Sequence, residues 1–251
     1  MTMKQMEHLL TPGTTFTKAE FANWTREINP QYSERSIYWL LNKLQIQQQI
    51  IRLGKNLFQF IGMDAVKPIY TYKSSSQMDE VSNQIKEKYP LIEFQTWEFI
   101  QLNEFVNHQI AHNILFVEVE NMLEETIFEF LKEIYPCVLL CPSVDTFYQY
   151  KATDDTIVIL KLISQAPKPL PDTHSACLEK ILVDLFSSKI TGHLIERAEY
   201  PAIYEDAFQR YCIDERKMFR YAKRRNAEQE ILNFIENDTA IHLITRKTHE
   251  K

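Results

Sequence analysis

The sequence predicts a mixed α+β protein with two domains. A small N-terminal module of helices and one hairpin precedes a larger α/β domain, which has a mixed sheet and C-terminal helices. Helical apolar periodicity and one alternating hairpin pattern fill residues 1–62, whereas short apolar runs alternate with helices after residue 85. We expect domains at residues 1–62 and 86–251, with a connection and the first helix of the second domain at 63–85.

The composition excludes several classes of protein. The four glycines argue against glycine-rich phosphate loops, and no apolar run approaches the roughly 18–20 residues that span a bilayer. The N-terminal segment MTMKQMEHLL is too short and too mixed for a secretory signal. The four cysteines contain no CxxC pair, which favours a reducing compartment. We therefore expect a cytoplasmic protein without a membrane partner.

Three helices and a hairpin are predicted in the first domain. Helices are expected at about residues 4–10 and 17–27, and Ser33 is placed to cap a third. The segment IIRLGKNLFQFI alternates apolar and polar residues around Gly54, which indicates a two-stranded hairpin. This order of elements is typical of a winged helix-turn-helix.

The third helix has two different sides at about 100° per residue. Its apolar side is formed by Ile37, Leu40, Leu41 and Leu44. Its polar side is formed by Gln31 at the entry, Arg35, Tyr38, Trp39 and Asn42. Such side chains make phosphate, base-edge or stacking contacts with DNA, and the hairpin residues Arg52, Lys55 and Asn56 would meet the backbone beside the groove. The alternatives are a small helical packing module with a solvated polar face and a protein-docking module that does not contact DNA.

The charge is unevenly distributed along the chain. Residues 1–62 carry a net charge of +3, whereas residues 63–200 carry −10. A slightly basic first domain on an acidic body suits an anionic partner for the first domain only.

The second domain shows an alternation of strands and helices. Strands are predicted at residues 114–119, 137–140 and 156–162, and helices at about 77–87, 123–135 and 175–187. A helical part at about 204–236 and a last short strand or tail, AIHLITRKTHEK, follow.

Two segments resemble catalytic motifs: the histidine pair in HQIAH and the glutamate pair in LFVEVE. Each of them lacks a residue that the corresponding chemistry requires. In the segment HQIAH, Gln109 replaces the glutamate that acts as general base in zinc proteases. On the strand LFVEVE, Glu118 and Glu120 share a face, but Glu120 stands where a nuclease core has lysine. Paired carboxylates bind cations, so a metal-dependent nuclease using Glu118 and Glu120 is the enzymatic alternative. We expect no catalysis, no metal and no cofactor.

The segment DERKMFRYAKRR predicts a helix with a basic side. Within about 120° of arc lie Arg216, Lys217, Arg220, Lys223 and Arg224. Met218, Tyr221 and Ala222 occupy the other side, with Arg225 near the apolar edge. This C-terminal basic face would bind phosphates or an acidic partner. Alternatively, it is a solvated face neutralised by acids such as Glu205 and Asp206.

The order of these segments resembles the AbiEi-type antitoxins, which are abortive-infection transcriptional regulators of type IV toxin–antitoxin systems. The resemblance is carried by WEFIQLNEFVNHQ, NILFVEVE, EETIFEFL and TIVILKLISQAP, and most sharply by LEKILVDLF at residues 178–186 and FRYAKRR at 219–225.

The resemblance implies a DNA-binding antitoxin that represses its own operon. Such a protein binds inverted repeats in double-stranded operator DNA. It also opposes a co-expressed nucleotidyltransferase-like toxin without needing a stable complex with it. Arg35, Tyr38, Asn42, Arg52 and Lys55 would contact the operator, and Arg216, Arg220, Lys223 and Arg224 would add DNA contacts. Because the first domain carries only +3, a second copy of the chain or the basic face would be needed for tight binding.

Overall fold

The structure is a computed structural model that describes residues 11–46, 49–61, 67–150, 155–169, 173–187 and 190–243. These residues form a mixed α+β protein with two sheets and several C-terminal helices. They divide into two compact units: the described residues up to Pro68 together with Leu243, and Ile69–His242. The helix predicted at residues 4–10 and the end of the predicted tail lie outside the described residues.

The first unit contains a three-stranded sheet and two helices. Its elements are β1 (Thr15–Thr17), α1 (Lys18–Ile28), α2 (Glu34–Ile46), β2 (Ile50–Arg52) and β3 (Leu57–Phe60). The strand order is β1-β3-β2, and both pairings are antiparallel. Ser33 Oγ accepts a hydrogen bond from Ser36 N at 3.2 Å and so caps α2. The predicted helices at residues 17–27 and after Ser33, and the predicted hairpin, are confirmed.

The core of the first unit lies between its two helices, α1 and α2, and the sheet. Phe16 stacks on Phe21 and Phe58, with ring centroids 5.6 and 5.8 Å apart. The apolar side of α2 packs into this cluster, and all four predicted core residues are buried: Ile37, Leu40, Leu41 and Leu44. The predicted two-sided character of this helix is therefore confirmed.

The second unit is built on a four-stranded mixed sheet. Its first elements are α3 (Ser76–Lys88), β4 (Phe94–Glu98), β5 (Ile114–Val119), α4 (Glu124–Lys132), β6 (Val138–Leu140), α5 (Val144–Tyr150) and β7 (Thr156–Lys161). The strand order is β4-β5-β7-β6, with β4 antiparallel to β5 and the other pairs parallel. The three predicted strands are confirmed, whereas β4 and α5 were not predicted.

Both faces of the sheet are covered. On one face, Leu115, Val117 and Val119 pack against α3 and α4. On the other face, Phe116 packs against Phe147 of α5 with ring centroids 6.5 Å apart, and Glu118 contacts Lys180, which lies on a later helix. Because β5 is covered on both sides, all six of its residues are buried.

In the described part of the second unit, four further α-helices follow the sheet. They are α6 (Leu178–Asp184), α7 (Tyr200–Arg210), α8 (Glu215–Arg224) and α9 (Glu228–Asp238). The predicted helix at 175–187 is thus shorter, and the predicted helical part at 204–236 is divided into three helices. The Tyr204 hydroxyl donates to the Leu182 carbonyl at 2.8 Å, which fixes α7 against the last turn of α6. Among the described residues, none of the helices combines the length and the apolar character needed to cross a bilayer.

Two leucines of the second unit provide a matched test of its core. Leu115 is fully buried in β5, whereas Leu91 is 96% exposed. We expect Leu115→Ala to lower the free energy of unfolding by about 2–5 kcal/mol, because it leaves a cavity in the sheet. Leu91→Ala should change it by less than about 0.5 kcal/mol. Urea unfolding followed by circular dichroism measures both, and equal effects would contradict the assigned core.

Candidate functional site

The exposed side of α2 carries polar and aromatic residues. Every predicted DNA-contacting residue is exposed: Gln31, Arg35, Tyr38, Trp39, Asn42, Arg52, Lys55 and Asn56. We call these eight residues the N-terminal polar face. Tyr38 and Trp39 are 58% and 62% exposed, which is high for large aromatic side chains. Exposed aromatic groups of this kind are common at surfaces that bind other molecules.

Arg52, which is predicted to contact the DNA backbone, also forms hydrogen bonds within its own turn. Its Nε donates to the Gly54 carbonyl at 3.0 Å, and its Nη2 donates to the Lys55 carbonyl at 2.8 Å. The guanidinium therefore holds the turn between β2 and β3 in shape. The exposed side chains of Lys55 and Asn56 lie on this turn.

Two cations that the sequence analysis did not single out lie beside the N-terminal polar face. Arg26 pairs with Glu34 at 2.5 Å, and Lys18 lies 3.9 Å from the same carboxylate. Lys18 also lies 5.7 Å from the centre of the Tyr38 ring. Because Glu34 offsets part of their charge, Lys18 and Arg26 add only modestly to the positive potential of this surface.

The HQIAH segment is not helical in the structure. The short 3-10 helix Phe99–Glu104 ends before it, and β5 begins only after it. His108 is 90% exposed on its side chain, with its Nδ1 3.3 Å from a carboxylate oxygen of Glu199. Within the described ranges, no group of three or more histidine, cysteine, aspartate or glutamate side chains is arranged to hold a metal ion.

Glu118 and Glu120 bind different groups. Glu120 accepts a hydrogen bond from Glu93 N at 3.0 Å, beyond the end of β5. Glu118 is 4% exposed, accepts from Trp97 Nε1 at 3.2 Å and forms an ion pair with Lys180. In place of the paired carboxylates of the nuclease alternative, Glu118 belongs to a buried carboxylate–lysine pair.

Lys180 is the centre of a buried polar network. Its ammonium group donates to Glu118 and, at 2.6 Å, to Asp184 Oδ2. Asp184 Oδ1 accepts from the Tyr221 hydroxyl at 2.9 Å and lies 3.1 Å from Arg225 Nη2. We call these five residues the Lys180 cluster. It joins β5, α6 and the C-terminal end of α8.

The pKa values within the Lys180 cluster are set by burial and by the position of two carboxylates around one lysine. Burial alone would lower the pKa of Lys180, but the carboxylates of Asp184 and Glu118 outweigh this and raise it. Burial also raises the pKa of Glu118, with Lys180 opposing the change and Asp184 reinforcing it. Buried charges are tolerated when they are paired in this way, and removing one partner is costly.

The C-terminal basic face lies where the periodicity predicted it. Lys217, Arg220, Lys223 and Arg224 are exposed and Arg216 is half-buried. The opposite side, with Met218, Tyr221 and Ala222, is fully buried. Arg225, expected at the apolar edge, turns inward to Asp184.

The acids named as neutralising partners of the basic face have other partners. Asp206 pairs with Arg210 at 2.9 Å, and Glu205 accepts from Ala240 N at 2.7 Å. Within the basic face, Lys217 lies 3.8 Å from Asp214, an exposed contact that offsets little charge. The positive character of this face is therefore largely retained.

Residues 36–241 match the model of a family of unknown function, DUF6577. The chain belongs to this family. The matched region covers more than four fifths of the chain, from the first turn of α2 to the residues after α9. It includes the whole Lys180 cluster and the C-terminal basic face, whereas Gln31 and Arg35 precede it. None of the curated proteins matches the sequence.

Because Lys180 is buried between two acids, we expect that replacing it strongly lowers the stability of this DUF6577 protein. Lys180→Met leaves the buried Glu118 and Asp184 without their shared cation, so the free energy of unfolding at pH 7 should fall by about 3–5 kcal/mol. Lys132→Met, at a lysine on α4 whose side chain is 57% exposed, should change it by less than about 0.5 kcal/mol. Urea unfolding measures both variants.

The loss should shrink in acid. Without Lys180, burial holds the pKa of Glu118 above that of the unfolded chain, so the folded state binds more protons. The free energy of unfolding of the variant therefore rises as the pH falls from 7 towards about 5. Wild type should gain less, because Lys180 opposes protonation of Glu118. A difference between the two proteins that is independent of pH would contradict this account.

Proposed function

We propose that the protein is a DNA-binding antitoxin and transcriptional autoregulator of a type IV toxin–antitoxin, phage-defence operon. In this proposal the first unit is a winged helix-turn-helix whose α2 enters the major groove of the operator. The observation that carries the proposal is the two-sided α2. Its apolar side is buried in a core, whereas Arg35, Tyr38, Trp39 and Asn42 on its other side are exposed, as are Lys55 and Asn56 on the hairpin turn.

The exposed side chains of α2 have the chemistry needed at a groove. Arg35 has a planar guanidinium, which pairs bidentately with guanine, and the amide of Asn42 pairs with adenine in the same manner. Tyr38 and Trp39 supply apolar surface for thymine methyl groups and sugars. The turn residues Lys55 and Asn56 contact phosphates and fix the position of the helix along the duplex.

Affinity in this proposal depends on more than one positive surface. The net charge of +3 on residues 1–62 supplies few phosphate contacts. Two copies of the chain on an inverted repeat would double those contacts, and the C-terminal basic face would add others. The proposal includes opposition to a nucleotidyltransferase-like toxin and no catalytic step, metal or cofactor. These parts rest on the sequence resemblance.

A second candidate function is protein docking by the first unit. The exposed Tyr38 and Trp39 favour it, since large aromatic side chains are also enriched at protein interfaces. The nuclease alternative has less support, because the Glu118 carboxylate is bound to Lys180 and that of Glu120 to a backbone N–H.

The double variant Arg35→Ala with Lys55→Ala tests the DNA proposal. The two residues are exposed on α2 and on the hairpin turn. Binding to a duplex from upstream of the protein's own reading frame should weaken about tenfold or more. The slope of log affinity against log salt should become shallower by about one for each lost phosphate contact. Gel shifts over a salt series measure both quantities.

The matched control is Lys86→Ala with Lys132→Ala, which removes two exposed cations from the second unit. This control should bind the duplex like wild type. Unchanged affinity and salt slope in the Arg35 and Lys55 variant would refute the assigned surface. If wild type does not distinguish the upstream duplex from a scrambled one, protein docking becomes the better account. Co-expression with a nucleotidyltransferase-like protein encoded next to this chain tests the antitoxin role separately.

A further inference from the structure

A cavity of about 310 Å³ lies in the second unit at the carboxyl ends of the parallel strands. Its described lining includes Glu118 from the end of β5, Cys141 after β6, Lys161 at the end of β7, and Asp184, Thr191 and Arg225. The chain after β5 enters α4 on one face of the sheet, whereas the chain after β7 leads to α6 on the other. Ligands of open α/β sheets bind at such points, where neighbouring strands send their connections to opposite faces.

Two buried polar atoms at this cavity lack hydrogen-bond partners. Thr191 is 3% exposed, and its Oγ1 has no partner in the described part of the chain. The Nε of Arg225 is buried and likewise has no acceptor there. Buried polar atoms are nearly always paired in folded proteins, and a guanidinium does not give up its proton. The cavity therefore offers two donors to a water molecule or a ligand that accepts hydrogen bonds.

The carboxylates beside the cavity are already engaged. Asp184 Oδ2 accepts a hydrogen bond from Lys180. Asp184 Oδ1 accepts one from Tyr221 and forms an ion pair with Arg225. One oxygen of Glu118, Oε1, accepts from both Lys180 and Trp97. Their negative charges are balanced by Lys180 and Arg225, and the exposed Lys161 adds positive charge to the lining. The charge and the vacant donors together favour an oxyanion.

We propose that this cavity binds the phosphate group of a phosphate ester. Arg225 Nε and the Thr191 hydroxyl are its inner donors, and Lys161 provides the outer charge. A guanidinium matches the geometry of phosphate oxygens. The volume is at the lower end of the range for small-molecule sites and exceeds that of one phosphate group, so it has room for a sugar-sized substituent. The phosphate belongs either to a small metabolite or to the 5′ end of a nucleic acid.

The test uses the full chain and inorganic phosphate as the probe. Thermal unfolding and calorimetry are run with phosphate and with potassium chloride at equal ionic strength. Because phosphate also stabilises folded proteins without a specific site, the excess over chloride should be larger for wild type than for a variant that lacks one donor of the site. Thr191→Val removes one donor with little change in shape, and it should weaken phosphate binding about five- to tenfold.

The matched control is Thr126→Val, the same chemical change at an exposed position of α4. It should bind phosphate like wild type. Arg225→Lys keeps the charge but loses the Nε donor and should also weaken binding, with unfolding in chloride showing that each variant is folded. Equal stabilisation by phosphate and chloride, or wild-type affinity in Thr191→Val, would overturn the proposal.

Competition identifies the source of the phosphate. Displacement of inorganic phosphate by ribose 5-phosphate supports a small metabolite. Displacement by a 5′-phosphorylated oligonucleotide, and not by its unphosphorylated form, supports a nucleic-acid end. The Arg35→Ala and Lys55→Ala variant should bind phosphate like wild type. Failure of the DNA-binding proposal is therefore distinguishable from failure of this one.

Discussion

The second unit depends on one buried ammonium group, that of Lys180, held between the carboxylates of Glu118 and Asp184. All seven residues of α6 are buried, including Glu179, Lys180 and Asp184. Such a helix is stable in the interior only if each charged group has a partner. Glu179 accepts from Asp214 N at 3.0 Å, just before α8, while Asp184 binds Tyr221 and Arg225 at the other end of α8. The polar residues of α6 thus fix both ends of α8.

Within the second unit, this arrangement links the sheet to the C-terminal basic face and to the cavity beside the strand ends. Tyr221 and Arg225 point inward to the cluster, so the remaining cations of α8 point outward as the C-terminal basic face. The same inward turn of Arg225 places its unpaired Nε at the cavity beside the strand ends. In the first unit, an apolar core fixes the orientation of α2 in the way that the Lys180 cluster fixes that of α8. Burial of one side of α2 determines which of its side chains are exposed. The exposed side of α2 and the C-terminal basic face are therefore each the outer side of a helix whose inner side is fixed.

Much of the fold was predictable because it is encoded by local periodicity. The 3.6-residue repeat identifies the buried sides of α2 and α8, and continuous apolar runs identify β5 and β7. The strand β4 was missed because its sequence FQTWE contains Gln95 and Glu98, both buried. Gln95 donates to the distant Pro167 carbonyl, and Glu98 accepts from the Tyr72 hydroxyl. Such long-range partners leave no periodic signal.

In the candidate sites, features set by neighbouring residues were likewise predictable, whereas features set by residues distant in the chain were not. The exposure of Arg35 and Asn42 follows from helix geometry. The hydrogen bonds from Arg52 to the carbonyls of its own turn do not follow from any periodic pattern. Lys180 and Asp184 are four residues apart, a spacing usually found on solvated helix faces. Their burial depends on Glu118, which lies 62 residues before Lys180 in the chain.

A double-mutant cycle with Glu118→Gln and Lys180→Met tests most directly whether the Lys180 cluster acts as one unit. The free energies of unfolding of the two single variants, the double variant and wild type are compared at pH 7. We expect the double variant to be less destabilised than the sum of the single variants by about 1.5–3 kcal/mol, because it contains neither group without its partner. Additivity within about 0.5 kcal/mol would show that the two residues act independently and would contradict the account.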